Sequence, residues 1–379
     1  MGKRENDCQH YREQLVKDQE RLADLEARGD AACSDYDLRM GYDAEFNKQL
    51  KRNHIIYDLK QLERCPKPLM EMTAAVPVIS MSLPADQFAH DFGASFERFG
   101  FAMITDHGID PDLIDDAWAK AKAFFALPEA EKRAYHIPGG GGARGYTPFG
   151  TEIAKGAKEV DLKEFWHVGR DLPAGHRLAA QQPNNVWPKE VEGFRAVYDK
   201  LFAEFDRVGG RLLSGIARYL GLAPDFFDDT VKDGNSVMRL LHYPPVEGPA
   251  KGIRAEAHED INTITLLLGA EEAGLEILDK DGSWLPVSPP PGAMAVNVGD
   301  MLQRLTNNRL PSTTHRVRNP DEGRASVARY SMPFFLHFRS DYPIETLPSC
   351  VSTENPNRYP EPITAQDFLY ERLREIRLA

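Results

Sequence analysis

The chain has 379 residues, 42% of them hydrophobic and 27% charged, and its four scattered cysteines favour a reduced, cytoplasmic globular protein. The formal net charge of −12 argues against a nucleic-acid partner or an anionic membrane, since both are themselves negatively charged. No apolar run reaches the length of about 18 residues that suits a membrane span, and no apolar segment near the N-terminus predicts a secretory signal.

Residues 1–69 differ in character from the rest and predict a helical extension. Apolar residues recur at helical spacing early in this segment and again over residues 43–63, before two prolines end the pattern. One interpretation is self-association through residues 8–64. Another is an extension without a chemical role, because two short helices bury little surface alone. A third is that the native start is Met70 or Met72.

Residues 76–230 alternate short apolar runs with amphipathic stretches, which predicts an α/β region. A long run from Trp187 to about Leu220 has core-facing periodicity and is expected to pack behind a sheet. The other predicted elements are strands at 76–80 and 101–104 and helices at 86–99 and 111–125.

Four consecutive glycines at 139–142 predict a loop with little conformational restriction. They do not predict a phosphate-binding loop, because no Lys-Ser/Thr pair follows to begin a helix. Three aromatic residues come after this loop, Tyr146, Phe165 and Trp166. They line a substrate pocket or are ordinary core residues, and the sequence leaves both interpretations open.

Two histidines and an aspartate in the following region have the spacing of a metal site. His258 and Asp260 are two residues apart, so on an extended segment both side chains would leave the same face. His315 follows after strand-like runs that can carry the chain across a β-sandwich and back, Ile264–Leu268, Leu275–Leu278 and Met294–Val298. Two imidazoles and one carboxylate form a facial triad for non-haem Fe(II) that leaves positions open for oxygen.

Arg329 and Ser331 lie on one face of a predicted strand and can together hold a carboxylate. A buried arginine is costly unless an anion meets it, and a guanidinium grips a carboxylate with two parallel hydrogen bonds. Arg324 and Ser326 fit the same pattern, but they follow a turn. Arg324 is an odd number of residues away from Arg329 and should face the opposite side, so strand parity favours the downstream pair.

Taken together, these segments resemble the iron(II)- and 2-oxoglutarate-dependent oxygenase superfamily, in its isopenicillin N synthase-like branch, over about residues 76–345. The resemblance implies a mainly β fold with helical elaborations. Its core would be a double-stranded β-helix, the cupin-like jelly roll, over residues 231–345, backed by helices from the N-terminal α/β region. Residues 346–379 would form a C-terminal tail with a helix.

The resemblance also implies ligands and a reaction. Fe(II), 2-oxoglutarate and O2 would oxidise a small-molecule substrate by hydroxylation, desaturation or ring closure, with release of succinate and CO2. Leu241 stands where many 2-oxoglutarate users have asparagine. This departure leaves open an isopenicillin N synthase-like oxidase that does not use 2-oxoglutarate, or an enzyme that forms ethylene and succinate from it. The implied iron ligands and catalytic residues are His258, Asp260 and His315, and the implied co-substrate residues are Arg329, Ser331 and Tyr243.

Overall fold

The computed structural model describes residues 75–139, 142–151, 160–245, 253–268, 274–319 and 327–375, together with Lys17, Arg21, Asn47, Lys48 and Lys51. The chain divides into two compact units, Met1–Thr73 and Ala74–Ala379. The five described residues of the first unit are helical. The remainder of the predicted extension, including the self-association expected for residues 8–64, lies outside the described residues.

The second unit contains both helices and strands, and the elements predicted from the sequence occur there in the predicted order. Its helices are α1 (Ala85–Phe99), α2 (Pro111–Phe125), α3 (Glu129–Arg133), α4 (Phe194–Tyr219), α5 (Asp228–Val231), α6 (Asp300–Leu305) and α7 (Ala365–Glu375). Its strands are β1 (Val78–Ser80), β2 (Phe101–Thr105), β3 (Gly145–Thr147), β4 (Glu164–Gly169), β5 (Val237–Tyr243), β6 (Ala255–His258), β7 (Ile264–Leu268), β8 (Leu275–Leu278), β9 (Trp284–Pro286), β10 (Met294–Val298), β11 (His315–Val317), β12 (Arg329–Leu336), β13 (Pro343–Ile344) and β14 (Ile363–Thr364). Within the described ranges, no helix has the length and apolar character needed to cross a membrane.

The long helix α4 begins at Phe194, later than the start that the sequence predicts at Trp187. Gly193 precedes it with φ of 73°, a left-handed backbone that a continuous right-handed helix cannot contain. Residues with side chains rarely adopt this conformation, so the glycine sets the start of the helix. The C-terminal end of α4, at Tyr219, lies one residue from the predicted end at Leu220.

The strands form a jelly-roll core of two sheets and one small separate pair. The main sheet has the order β1-β2-β10-β7-β12-β5-β4-β3, and the minor sheet has the order β6-β11-β8-β9. β1 runs parallel to β2, whereas the other pairings of both sheets are antiparallel. The strand order is non-sequential, as expected where successive strands cross between two packed sheets.

The main sheet has two faces of different character. One face, here called the helix face, packs against the helices, and Phe334 of β12 stacks on Phe205 of α4 with ring centroids 5.0 Å apart. Each fully buried side chain of this size contributes roughly 1.5–3 kcal/mol through removal of apolar surface from water. The opposite face, here called the inner face, is turned towards the minor sheet. Arg329 and Ser331 lie on it, because side chains alternate along β12.

The space between the two sheets is apolar at one side. Phe101 and Ala295 of the main sheet pack there with Ile277 and Leu275 of the minor sheet in one buried cluster. At the other side, over β12, β5 and β4, the inner face carries polar and charged side chains. The apolar half holds the two sheets together, and the other half carries the polar side chains that suit ligand binding.

A buried polar cluster fastens α3 to the helix face of the main sheet. Glu164 of β4 accepts hydrogen bonds from Lys132 Nζ at 2.7 Å, from the hydroxyl of Tyr146 and from His242 Nδ1 at 2.7 Å. Burial favours the protonated form of Glu164, but these three donors outweigh it and hold the pKa of the carboxyl below its usual range. Glu164 is therefore an ionised, fully partnered group in the core.

Candidate metal and co-substrate site

The structure brings His258, Asp260 and His315 together between the two sheets. His315 begins β11 and lies directly opposite His258, which ends β6, in the antiparallel ladder of the minor sheet. The Nε2 atoms of His258 and His315 lie 4.0 and 3.9 Å from Asp260 Oδ1. The three ligand atoms all lie within 4.8 Å of one another. A single metal ion bound between these three atoms could lie about 2 Å from each of them.

Hydrogen bonds to the backbone orient both imidazoles. The Nδ1 of His258 donates to the carbonyl of Glu256 at 2.6 Å, and the Nδ1 of His315 donates to the carbonyl of Thr313 at 3.1 Å. A ring nitrogen that donates carries the proton, so Nε2 is the nitrogen of each ring that is left to bind a metal. The edge of Phe101 also contacts His315, with ring centroids 5.3 Å apart.

Asp260 is held in a different way from the one that the sequence suggests. β6 ends at His258, so Asp260 lies in the following loop and not on the same strand face. Its Oδ2 accepts hydrogen bonds from Thr265 Oγ1 at 2.5 Å and Asn297 Nδ2 at 2.8 Å, and its backbone carbonyl accepts from Asp300 N at 2.7 Å. With Oδ2 occupied, Oδ1 is the oxygen turned to the histidines. The alternation argument was therefore wrong for this residue, although the two side chains do converge.

The charges of the site suit a cation. Burial opposes ionisation of Asp260, but the neighbouring His315 and His258 and the hydrogen bonds from Asn297 and Thr265 outweigh it, so the pKa lies below the usual range. Burial, followed by the nearby His315, lowers the pKa of His258 to about 4. A carboxylate and a neutral histidine are the protonation states that bind a metal.

The donor set fits ferrous iron. Two imidazole nitrogens and one carboxylate oxygen, with no thiolate, match the 2-His-1-carboxylate set of non-haem Fe(II) sites. The second oxygen of Asp260 and the second nitrogen of each histidine are already hydrogen-bonded, so each residue offers one ligand atom. Three ligands on one side leave room for further ligands on the other.

The predicted co-substrate residues also meet on the inner face. Arg329 lies directly opposite Tyr243 in the ladder between β12 and β5, and its Cζ is 5.0 Å from the centre of the Tyr243 ring. Arg329 Nη1 donates to Ser331 Oγ at 3.3 Å. All three side chains are buried, with 2–3% of their surface exposed. Arg324 and Ser326, the alternative pair, lie outside the described residues.

The three aromatic residues after the glycine loop lie on different faces of the main sheet, because side chains alternate along each strand. Tyr146 and Trp166 lie on the helix face and are fully buried with Phe124. Phe165 lies on the inner face, where it packs with Leu241 and Tyr243. Phe165 is therefore placed to contact a ligand, and the other two are core residues. His107 accepts a hydrogen bond from Ile109 N in the turn after β2.

Several side chains of the site have no signal in the sequence that would reveal their role. Thr265 and Asn297 orient Asp260 from β7 and β10, and Asn262 Nδ2 donates to Thr265 Oγ1 at 3.1 Å. Arg254 is buried with its Cζ 5.9 Å from the centre of the Tyr243 ring, and its Nη2 donates to the carbonyl of Val327 at 3.0 Å. Thr265 is the exception, because a polar residue within the apolar run Ile264–Leu268 is a sequence signal that could have indicated a role in the site.

Two family models match the chain. Residues 76–190 match the N-terminal domain described as non-haem dioxygenase in morphine synthesis, and residues 234–338 match the 2OG-Fe(II) oxygenase superfamily. A 2-oxoglutarate-Fe(II) type oxidoreductase of Aspergillus fumigatus is 33% identical over 285 residues, which are 73% of this chain and 83% of that protein.

Solved structures give the same result. A protein from Caulobacter crescentus, assigned to the 2OG-Fe(II) oxygenase family, is 59% identical with a TM-score of 0.76, and the match covers 80% of this chain and 100% of that chain. A full-length protein of Neurospora crassa, solved in complex with alpha-KG and thymine, is 26% identical with a TM-score of 0.70. That match covers 79% of this chain and 96% of that one.

Proposed function

The chain belongs to the 2-oxoglutarate-Fe(II) oxygenase superfamily and is an Fe(II)- and 2-oxoglutarate-dependent dioxygenase, and on this premise we propose that His258, Asp260 and His315 are its iron ligands. The observation that carries the proposal is the convergence of two imidazole Nε2 atoms and one carboxylate oxygen within 4.8 Å. Fe(II) bound there supplies the activation of O2 that oxidation of a substrate C–H bond requires.

The remaining tasks fall to side chains of the inner face. Arg329 and Ser331, with Tyr243 opposite, hold the far carboxylate of 2-oxoglutarate, because a buried guanidinium is stabilised by an anion that it can grip with two nitrogens. Their burial keeps water away from that carboxylate, which strengthens each hydrogen bond. Thr265 and Asn297 keep Asp260 Oδ1 directed at the metal position.

The primary substrate is a small molecule, and the products of 2-oxoglutarate are succinate and CO2. Two relatives support this size class, since the Neurospora crassa protein was solved with thymine and JOX2 with JA. In this proposal residues 76–230 form the N-terminal oxygenase region, residues 231–345 the jelly-roll core and residues 346–379 the C-terminal tail. The outcome on the substrate is hydroxylation, desaturation or ring closure.

The proposal is tested by reconstitution under argon. Fe(II) and then 2-oxoglutarate are titrated into the protein, and the absorbance of the iron–keto-acid complex and the heat of binding are recorded. Oxygen is then admitted, and succinate is measured without added substrate. We expect His258→Ala to abolish the iron signal and succinate release. His90→Ala, at a histidine with 46% of its side chain exposed on α1, should behave as wild type.

Each of the other outcomes would contradict a particular part of the proposal. Absence of Fe(II) binding in the wild type, or iron binding retained in His258→Ala, would contradict the ligand assignment. Iron binding without 2-oxoglutarate binding would contradict the role of Arg329 and favour an oxidase of the isopenicillin N synthase kind. Ethylene in the headspace would identify the reaction that forms ethylene and succinate from 2-oxoglutarate.

A further inference from the structure

A histidine that has no task in the proposed function follows the last strand of the main sheet. His337 comes directly after β12, and its two neighbours, Leu336 and Phe338, are both buried in the core beneath the helices. Because side chains alternate along an extended segment, His337 faces the other way, onto the inner face. It therefore shares a face with Arg329 and lies at the opposite end of β12 from it.

The backbone of His337 is fixed on both sides. Its N–H donates to the buried Ser236 Oγ at 3.2 Å. A Cβ atom at Gly234 would lie 2.2 Å from the carbonyl oxygen of His337, so the segment before β5 packs directly against it. The imidazole thus stands on a rigid support, which is what a residue that recognises a ligand requires.

The imidazole of His337 is also close to the metal position. The carbonyl of Leu336 accepts a hydrogen bond at 2.9 Å from the N–H of Thr263, which lies three residues after Asp260. Burial lowers the pKa of His337 to about 4, and the carboxylate of Asp260 acts against this shift. Such an effect requires the ring and the carboxylate to be near each other, because electrostatic interactions weaken with distance.

The ring nitrogens of His337 have no partner among the described residues. The hydrogen bond to Ser236 is made by the backbone, and neither ring nitrogen forms a bond of its own. The residue is only 9% exposed, so water satisfies the ring poorly. Buried polar groups are nearly always hydrogen-bonded, because an unpaired one costs stability. A ligand bound on the inner face would supply the missing partner.

The chemistry of the ring indicates which ligand fits. With a pKa of about 4 the imidazole is neutral at pH 7, so it offers one donor and one acceptor. An anionic group would favour the protonated ring, which burial opposes. The polar groups of 2-oxoglutarate are already assigned, its far carboxylate to Arg329 and its keto acid to the metal. The partner of His337 therefore belongs to another molecule and carries no charge.

We propose that His337 contacts the primary substrate and binds an uncharged hydroxyl or amide group of that molecule close to the metal position. The substrate class is thus a small neutral molecule with such a group near the carbon that is oxidised. A hydroxyl or an amide can pair with either nitrogen of the ring. This inference rests on the proposed function, because it takes the metal and 2-oxoglutarate sites as occupied by their own ligands.

The first measurement is made on the protein without ligands. His337→Leu replaces the imidazole by an apolar side chain of similar volume and removes both ring nitrogens. Because the ring has no partner in the free protein, we expect the urea midpoint of the variant to equal or exceed that of the wild type. A lower midpoint would show that the ring stabilises the fold and would contradict a role in recognition.

The second measurement compares polar molecules with analogues of nearly the same shape that lack the donor. The pairs are benzyl alcohol with ethylbenzene, 2-piperidone with cyclohexanone, and benzamide with acetophenone. Each is titrated into the anaerobic holoenzyme with Fe(II) and saturating 2-oxoglutarate, and binding is followed by calorimetry and by the iron absorbance. We expect at least one polar member to bind about 5- to 100-fold more tightly than its analogue, the range for a buried group that is otherwise unpaired.

Substitutions then separate recognition from packing. His337→Leu should bring the affinity ratio of the pair close to one, and His337→Gln, which keeps a donor and an acceptor, should leave an intermediate ratio. His90→Leu is the matched control, since the side chain of His90 is 46% exposed on α1. If the ring only packed against the ligand, its substitution would weaken both members equally, and the ratio would persist.

The proposal is overturned if no polar member binds more tightly than its analogue, or if the ratio survives in His337→Leu. The Kd for 2-oxoglutarate should be the same in this variant and the wild type, and weaker binding would assign the ring to the co-substrate instead. Binding of Fe(II) and 2-oxoglutarate to the wild type is measured first. Failure at that step would refute the proposed function, whereas normal holoenzyme formation without preference for a polar member would refute only the contact at His337.

Discussion

Thr265→Val tests whether the hydrogen bonds behind Asp260 determine iron affinity. Valine has nearly the shape of threonine, so the substitution removes the hydroxyl that donates to Asp260 Oδ2 at 2.5 Å and leaves the donor on Asn297 in place. Asn262 Nδ2 loses an acceptor in Thr265 but still donates to the carbonyl of Ile264 at 2.7 Å. The change is therefore confined to the orientation and charge of one carboxylate.

The expected magnitude follows from that single bond. A hydrogen bond to a charged group contributes about 1.5–3 kcal/mol, which corresponds to a rise in the Kd for Fe(II) of about 10- to 100-fold. Anaerobic calorimetry with Fe(II) measures it directly. The control is Thr230→Val, because that buried hydroxyl donates to the carbonyl of Phe227 at 2.7 Å, on α5 and away from the triad. Wild-type iron affinity in Thr265→Val, or an equal loss in Thr230→Val, would refute the reasoning.

Three further predictions concern the co-substrate, acid stability and the backbone. Arg329→Met should raise the Kd for 2-oxoglutarate at least about 10-fold in anaerobic titrations, and an unchanged value would remove this residue from the co-substrate site. Glu164→Gln should lower the free energy of unfolding by about 2 kcal/mol at pH 7, because Lys132 loses its buried anion and keeps only the exposed carboxylate of Glu129, at 3.3 Å. Since the pKa of folded Glu164 is depressed, its contribution is present above the unfolded pKa of about 4.5 and is lost as the pH falls through the folded value. The difference in urea midpoint between wild type and variant should therefore shrink on acidification, and a constant difference would contradict the assignment. Gly193→Ala should cost about 1–2 kcal/mol in urea unfolding because φ is 73°, whereas Gly210→Ala, in open space within α4, should gain about 0.5–1 kcal/mol; equal effects would be inconsistent with the strain argument.

The jelly-roll fold was predicted correctly because the sequence motifs resemble a known family, and its individual elements were predicted because the signals that specify them are local. The strand Ile264–Leu268 and the helix Pro111–Phe125 have the predicted bounds, since apolar periodicity and terminating residues lie within each segment. The start of α4 was placed too early. Apolar periodicity continues upstream of Phe194, and the left-handed backbone of Gly193 cannot be read from composition.

The surroundings of the site depend on sheet order, which is not local. Asn297 reaches Asp260 only because β10 lies beside β7 in the main sheet. The pairing of His167 with Arg239 likewise follows from the register of β4 on β5, strands separated by α4 along the chain. Residue types and spacing can predict which side chains suit a metal. They cannot predict which side chains stand behind those ligands.

The two faces of β12 separate stability from specificity within eight residues. Phe334 faces the helices, and truncation there would cost about 3–5 kcal/mol, as for a typical buried phenylalanine. Pro333 and Phe335, on the other face, lie beyond the co-substrate pair, where substitutions leave the packing of the helices intact. Under the proposed function, we expect single changes at these two positions to alter the inner face without loss of the fold. This arrangement makes β12 a favourable target for directed evolution. Pro333 and Phe335 would be randomised, and the even-numbered residues of the strand, which face the helices, would be left unchanged.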